Sequence, residues 1–214
     1  MTDAATRLAV VRAEIARAAK SARRDPGEIT LVAVSKRRSV EEIEALIDAG
    51  QRDFGESRVQ EAKEKWPALR PLYPDVRLHM IGRLQSNKAS EAAALFDFVH
   101  SLDRISLLDA LATAPTHPPA FVQVNIGEEA RKGGVALAEL GSFLDAVRAT
   151  QIPLAGLMAI PPHGLEPGPF FAFLNELARR HGVAGLSMGM SSDYPAAVML
   201  GATMVRVGTA LFED

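Results

Sequence analysis

Cysteine is absent from the 214 residues. That excludes a disulfide framework and any thiolate metal site, and it fits a reducing compartment. Aromatic residues make up only 6% and basic residues are scattered, leaving few platforms on which bases stack. Charge of one sign is also lacking. Lys plus Arg number 24 against 26 Asp plus Glu, a net charge of -2, so no strong field draws the chain to nucleic acid or to a membrane. No stretch approaches the roughly 20 uninterrupted apolar residues of a membrane helix. The N-terminus, MTDAATRLAVVRAEIARAAKSARRD, carries charges throughout and lacks the apolar run of a signal peptide. Nothing resembles a coiled-coil seam. The expectation is a cytoplasmic monomer with no nucleic-acid and no membrane partner.

What is present is an ordinary globular balance, 48% apolar and 23% charged. Residues 3–24 place Leu8, Val11, Ile15 and Ala18 at helical spacing, and Asp25, Pro26 and Gly27 stop that helix. A unit then repeats: a short apolar run, a turn, a helical stretch. The runs are TLVAVSK, RDFGE, RLHMIG, FVHSLD, AFVQVNI, PLAGLMAI, GLSMGM and MVRVGTALF (residues 30–36, 52–56, 77–82, 98–103, 120–126, 153–160, 185–190 and 204–212). Helical candidates fall at 39–50, 57–69, 87–95, 104–113, 136–150, 167–181 and 193–200. Eight strands alternating with helices favour an α/β fold, a (β/α)8 TIM-type barrel, over an open doubly wound sheet, which typically carries fewer strands. Only two residues follow Phe212, so the eighth helix is expected from the N-terminus, closing the ring from the other end of the chain. Eight units use the whole length, giving one domain over residues 1–214.

In such a barrel, function gathers at the carboxyl ends of the strands. Lys36, Glu56, Asn125, Ser191, Ser192, Arg206, Gly208 and Thr209 fall there. Taken singly each has a plain role: a lysine swinging into water, a serine capping a helix, an arginine in a core salt bridge. Together they place an amine after the first strand opposite a phosphate cradle after the last two. A lysine amine that sheds its proton forms a Schiff base with an aldehyde. A phosphate-bearing aldehyde is then either a sugar phosphate or pyridoxal 5′-phosphate. Arg206 discriminates: beside a pyridine nitrogen a guanidinium donates to the lone pair and leaves the ring unprotonated, a poor electron sink. Arg37, Arg38, Arg58, Arg83, Arg131 and Lys132 also follow strand ends, where they help draw in a phosphate or simply face solvent.

The stretches LVAVSK, DFGESRVQEAKEK, LHMIGRLQSNK, VNIGEEARKGG, GLMAIPP and LSMGMSSDYPAAVMLGATMVRVGTALF resemble the pyridoxal phosphate homeostasis protein family, whose barrel is similar to the N-terminal domain of alanine racemase. They span nearly the whole chain in order. The resemblance implies that Lys36 forms the Schiff base with pyridoxal 5′-phosphate, that Arg206 faces the pyridine nitrogen, and that Ser191, Gly208 and Thr209 hold the phosphate. Lys132, in EARKGG, matches a region where the family carries a basic residue near the cofactor, with Arg131 beside it. Two departures stand out. The family's usual Gly-Glu-Asn after strand two reads Gly55-Glu56-Ser57, and its second lysine after the Schiff-base lysine is Arg38, which is no amine at neutral pH.

Racemisation needs a second acid/base on the face opposite the lysine. The racemases resembled here supply a tyrosine from an additional domain, for which the eight units leave no room. Of the two tyrosines, Tyr73 precedes strand three and Tyr194 alone is near the mouth. His79 reads as a packed core residue, and His100, His117, His163 and His181 show no metal spacing. The expectation is a non-catalytic carrier that buffers pyridoxal 5′-phosphate in vitamin B6 homeostasis and delivers it to cofactor-dependent apo-enzymes. A weak amino-acid racemase or other pyridoxal-phosphate enzyme is the alternative, with a sugar-phosphate lyase third.

Overall fold

The computed structural model describes residues 3–130 and 132–213. Eight parallel strands close in sequence order into a barrel: β1 (Thr30–Val34), β2 (Asp53–Glu56), β3 (Arg77–Met80), β4 (Phe98–Leu102), β5 (Ala120–Gln123), β6 (Leu154–Met158), β7 (Gly185–Ser187) and β8 (Met204–Val207). Closure is made by β1 on β8, with Val32 opposite Arg206. The helices are α1 (Ala4–Ser21), α2 (Val40–Asp48), α3 (Val59–Leu69), α4 (Ala89–Leu95), α5 (Ile105–Ala112), α6 (Leu140–Arg148), α7 (Gly168–Arg180), α8 (Tyr194–Met199) and α9 (Thr209–Phe212).

Local chemistry accounts for the elements nearest the site. Asp3 caps α1 through Thr6 N (2.7 Å), and Leu8, Val11, Ile15 and Ala18 bury one stripe of it. Ser39 and Glu42 form a reciprocal capping box that starts α2 directly after the β1 turn.

Neighbours along a strand enter different cores. On β8, Val205 and Val207 join the large apolar shell between barrel and helices, whereas Met204 joins a small cluster with Val32, Phe121 and Met158. Strand alternation therefore puts that small cluster inside the barrel. Asp53, His79, His100, Ser187 and Arg206 are buried among the same inward positions. A polar chain thus occupies part of an interior that apolar side chains would otherwise fill.

One expectation needs correcting. The run MVRVGTALF is not strand throughout: β8 ends at Val207, and Thr209–Phe212 forms the single turn α9 after Gly208. An apolar run continuing past a strand does not by itself distinguish one turn of amphipathic helix. α1 nonetheless takes the eighth outer position, packing against α2, α8 and α9. Among the described residues, no helix is long and apolar enough to cross a membrane.

Candidate functional site

Lys36 stands on a tight turn one residue beyond the buried Ser35. Ser35 N donates to Gly55 O on β2 (3.0 Å), and Arg38 N closes the turn onto Ser35 O (3.1 Å). Arg37 takes a left-handed backbone (φ 61°), uncommon for a residue with a Cβ. Two side chains of α3 pin that turn. Lys65 Nζ donates to Ser35 O (2.9 Å), and the Glu61 carboxylate accepts from Arg37 N. Lys65 is itself buried between Glu56 (2.7 Å) and Glu61 (2.9 Å). Glu56, fully buried, also accepts from Ser35 Oγ (2.8 Å) and Trp66 Nε1 (3.2 Å). The Lys36 side chain is exposed, and its ammonium has no hydrogen-bond or ion-pair partner among the described residues.

A cavity of about 660 Å³ opens beside it, lined by Lys36, Ser191, Ser192, Arg206, Gly208 and Thr209 among others. Barrel closure makes this possible, since it sets β8 against β1. Arg206 is only 4% exposed. Nη1 donates to Ser187 Oγ (2.6 Å) and Nη2 to Ala159 O (3.2 Å). Its remaining N–H groups have no acceptor among the described residues. Burial lowers its pKa to about 10 while the charge of Asp193 pulls the other way, so it stays a cation at neutral pH. This buried cation without a carboxylate partner is a site prepared for an outside acceptor.

Across the cavity, Ser191 Oγ accepts from Gly208 N (3.1 Å). The backbone N–H groups of Ser191, Ser192 and Thr209 have no acceptor among the described residues. The loop is shaped by Gly189 (φ 93°), where a Cβ would lie 2.6 Å from Ala197 Cβ, and by Asp193 Oδ1, which accepts from Met190 N (2.6 Å). Spare amides, hydroxyls and a cation around one hollow suit a phosphate at one end and a hydrogen-bond acceptor at Arg206.

The cavity thus brings together five of the six binding residues read from sequence, Lys36, Ser191, Arg206, Gly208 and Thr209. Lys132 does not line it; its ammonium is held by Glu129 Oε2 (2.8 Å) and Pro161 O (3.1 Å). Arg131 lies outside the described residues. Ser57 lines the cavity, and Arg38 does so while its guanidinium bonds Glu42 (3.5 Å) and Glu213 and lies 5.2 Å from the Phe212 ring centroid. Asn125 instead shapes its own loop through Glu129 N and O. Tyr194 is buried, and its hydroxyl donates to Glu14 on α1 instead of lining the cavity. Burial and that carboxylate push its pKa upward. Tyr73 reaches Glu44 on α2 at 3.5 Å.

Sequence reading passed over three contributors. Lys65 and Glu61 stand four residues apart in QEAKEK, and nothing local says that Lys65 is buried under the Lys36 turn. His79 is packed and hydrogen-bonded as expected, to Asp53 (2.9 Å) and His100 (3.0 Å). The missed feature is that His100 continues to Ser187 (2.8 Å) and so to Arg206. The available signal was a polar residue inside several of the apolar runs, Asp53, His79, His100, Ser187 and Arg206.

Residues 7–214 match the family described as alanine racemase, N-terminal domain. The chain is 41% identical over 230 aligned positions to the pyridoxal phosphate homeostasis protein of Escherichia coli (strain K12), spanning 99% of this chain and 97% of that one. Among solved structures, PipY of Synechococcus elongatus PCC7942 with PLP bound superposes with a TM-score of 0.79 at 39% identity, over 92% of this chain and 99% of that chain. Alanine racemase from Corynebacterium glutamicum shares the fold at 18% identity and a TM-score of 0.66, over 94% of this chain and 59% of that one.

Proposed function

This chain belongs to the pyridoxal phosphate homeostasis proteins of the alanine racemase N-terminal domain family, and on that premise we propose that it holds pyridoxal 5′-phosphate on Lys36 and passes it to cofactor-dependent apo-enzymes. The observation that carries the reading is a single cavity containing a partnerless amine, a buried arginine with spare donors and a cradle of free amides. When bound, the cofactor supplies an aldehyde carbon for condensation and a ring that withdraws electrons.

The residues divide the work. Lys36 Nζ, once deprotonated, attacks the aldehyde carbon; the carbonyl oxygen leaves as water and a C=N bond remains, a Schiff base that water or another amine reverses. Ser191, Gly208 and Thr209 hold the phosphate, with the Ser192 amide beside them. Arg206 donates to the pyridine nitrogen and keeps the ring unprotonated, which weakens carbanion chemistry and favours storage over turnover. The engagement of Tyr194 with Glu14 removes the one tyrosine that sequence put near the mouth from acid/base duty. The open cavity suits reversible loading, and the cysteine-free composition suits the cytoplasm.

Purified protein mixed with pyridoxal 5′-phosphate should show an absorption band near the violet edge that borohydride abolishes, with the label on Lys36; Lys36→Ala should show neither. The loaded protein should reactivate a cofactor-dependent apo-enzyme while leaving L- and D-alanine unexchanged. Labelling elsewhere would overturn the site, and rapid turnover of an amino acid would overturn the carrier.

A further inference from the structure

We propose that Asp53, His79, His100 and Ser187 form one hydrogen-bonded chain through the barrel interior whose task is to position the Arg206 guanidinium against the cofactor ring. The inference rests on the reading that Arg206 meets that ring. The links are Asp53 Oδ1 to His79 Nε2 (2.9 Å), His79 Nδ1 to His100 Nε2 (3.0 Å), His100 Nδ1 to Ser187 Oγ (2.8 Å), and Ser187 Oγ to Arg206 Nη1 (2.6 Å). All five residues are buried. The chain runs through the neighbouring strands β2, β3 and β4, then crosses the barrel to β7 and β8. It ends at Asp53, which also accepts from Arg77 (2.8 Å) beside a second cavity of about 460 Å³.

One assignment of protons satisfies every link. Burial pushes Asp53 upward, but the bonds from His79 and Arg77 outweigh it and leave the carboxyl below its ordinary range. Asp53 is therefore an acceptor only, and His79 Nε2 carries a proton. The proposed chain gives His79 a single ring proton, so its Nδ1 accepts and His100 Nε2–H must donate. Burial above all, with the Arg206 charge acting the same way, holds His100 neutral, so His100 Nδ1 accepts in turn. Ser187 must then direct its hydroxyl hydrogen to His100. That leaves Ser187 Oγ, its lone pairs enriched by the hydrogen bond it donates, to accept from Arg206 Nη1. Ala159 O holds Nη2. Two fixed acceptors set the guanidinium plane, and the unengaged N–H groups are aimed by that plane.

A plain packing role is the competing account, since His79 stacks on Phe98 at 4.7 Å and His100 lies 4.6 Å from Phe121. Packing predicts no particular tautomer and no effect of a hydroxyl on the ring of His100. The positioning chain requires both.

The first arm uses cofactor-free protein. Ring ¹⁵N NMR at pH 7 should show His79 and His100 both neutral, both protonated on Nε2, and a Ser187→Ala variant should shift the His100 Nδ1 signal. A charged ring, or a proton on Nδ1 of either histidine, reverses the chain and overturns the proposal. The second arm measures pyridoxal 5′-phosphate affinity and band position. Ser187→Ala and His100→Phe should weaken binding about tenfold and move the band, with Ser187→Thr restoring both. Unchanged affinity and band in Ser187→Ala would overturn it as well. Should His100→Phe not fold, the wild-type tautomers and the Ser187 pair decide. Failure of the wild type to label at Lys36 would sink the cofactor reading alone, a result distinguishable from a wrong tautomer.

Discussion

The ammonium of Lys65 donates to the carbonyl of Ser35 at 2.9 Å, so the residue before Lys36 is anchored by a lysine from the neighbouring helix. The same ammonium meets the fully buried Glu56 at 2.7 Å. Replacing it therefore does two things: it frees the turn and strands a buried carboxylate. Lys65→Met should cost about 3–5 kcal/mol in urea unfolding, because the uncompensated charge costs more than the pair contributed. Lys65→Met combined with Glu56→Gln should recover a large part of that. A single-variant loss under about 1 kcal/mol would show that the pair is solvated and the anchor unimportant.

Gly189 is the second local constraint. Its φ of 93°, and the 2.6 Å that would separate an added Cβ from Ala197 Cβ, leave no relaxed position for alanine. Gly189→Ala should destabilise by about 2–4 kcal/mol. Because Gly189 O accepts from Arg206 N (3.0 Å) and the next residues form the cradle, cofactor affinity should fall too. Equilibrium unfolding and spectral titration of the same preparation check both, and undiminished affinity would separate the loop from the site.

A pH dependence follows from His100. Burial, first, and the charge of Arg206 depress its pKa in the fold. Below the unfolded value of about 6.5, the unfolded chain takes up a proton that the folded chain refuses. The stabilisation is therefore complete above that pH and lost as pH falls, by about 1.4 kcal/mol per unit for one group. Urea midpoints measured from pH 8 to 5 should decline on the acid side, and His100→Phe should flatten the decline by that slope. Parallel slopes in the two proteins would mean that His100 titrates normally.

Tyr194 yields a prediction of independence. Its phenol donates to Glu14 across the seam between α8 and α1 and does not line the cavity of Lys36. Tyr194→Phe should thus leave cofactor loading and transfer within twofold of wild type while losing about 1 kcal/mol of stability from the half-buried hydrogen bond. Desolvation and the neighbouring carboxylate keep the phenol protonated beyond its usual range. Its contribution should be present below pH about 10 and disappear above it, as the unfolded chain ionises first. A change in loading with Tyr194→Phe would place the hydroxyl in the site.

Much of this was readable because barrel periodicity is strong. Eight apolar runs, the first seven each followed by a helical pattern, leave little choice of topology, and closure necessarily brings the end of β1, carrying Lys36, beside β8, carrying Arg206. The single turn α9 escaped because TALF has the same apolar look as the strand before it. Lys132 fell outside the cavity because a basic residue in a long loop is placed by its partners, here Glu129 and Pro161, which pattern alone does not reveal. His79 looks from sequence like a packed core residue, and of His100 the sequence says only that it lacks metal spacing. Their connection to Arg206 passes through Ser187 on the far side of the barrel, a contact between β4 and β7 that no short-range spacing encodes.

The phosphate end of the site can be tested separately from the amine. Ser191 Oγ accepts from Gly208 N (3.1 Å), and three nearby backbone N–H groups are unengaged among the described residues. A phosphate bound there takes charge-assisted hydrogen bonds worth about 1.5–3 kcal/mol each. Ser191→Ala should weaken pyridoxal 5′-phosphate roughly 5- to 20-fold. Pyridoxal, which keeps the aldehyde and ring but lacks the phosphate, should bind more weakly to the wild type and lose nothing further in the variant. The ratio of the two affinities, read by spectral titration, isolates the contact from any general loosening of the loop. Equal losses for both ligands would mean that Ser191 supports the fold of the mouth and that the phosphate is held elsewhere.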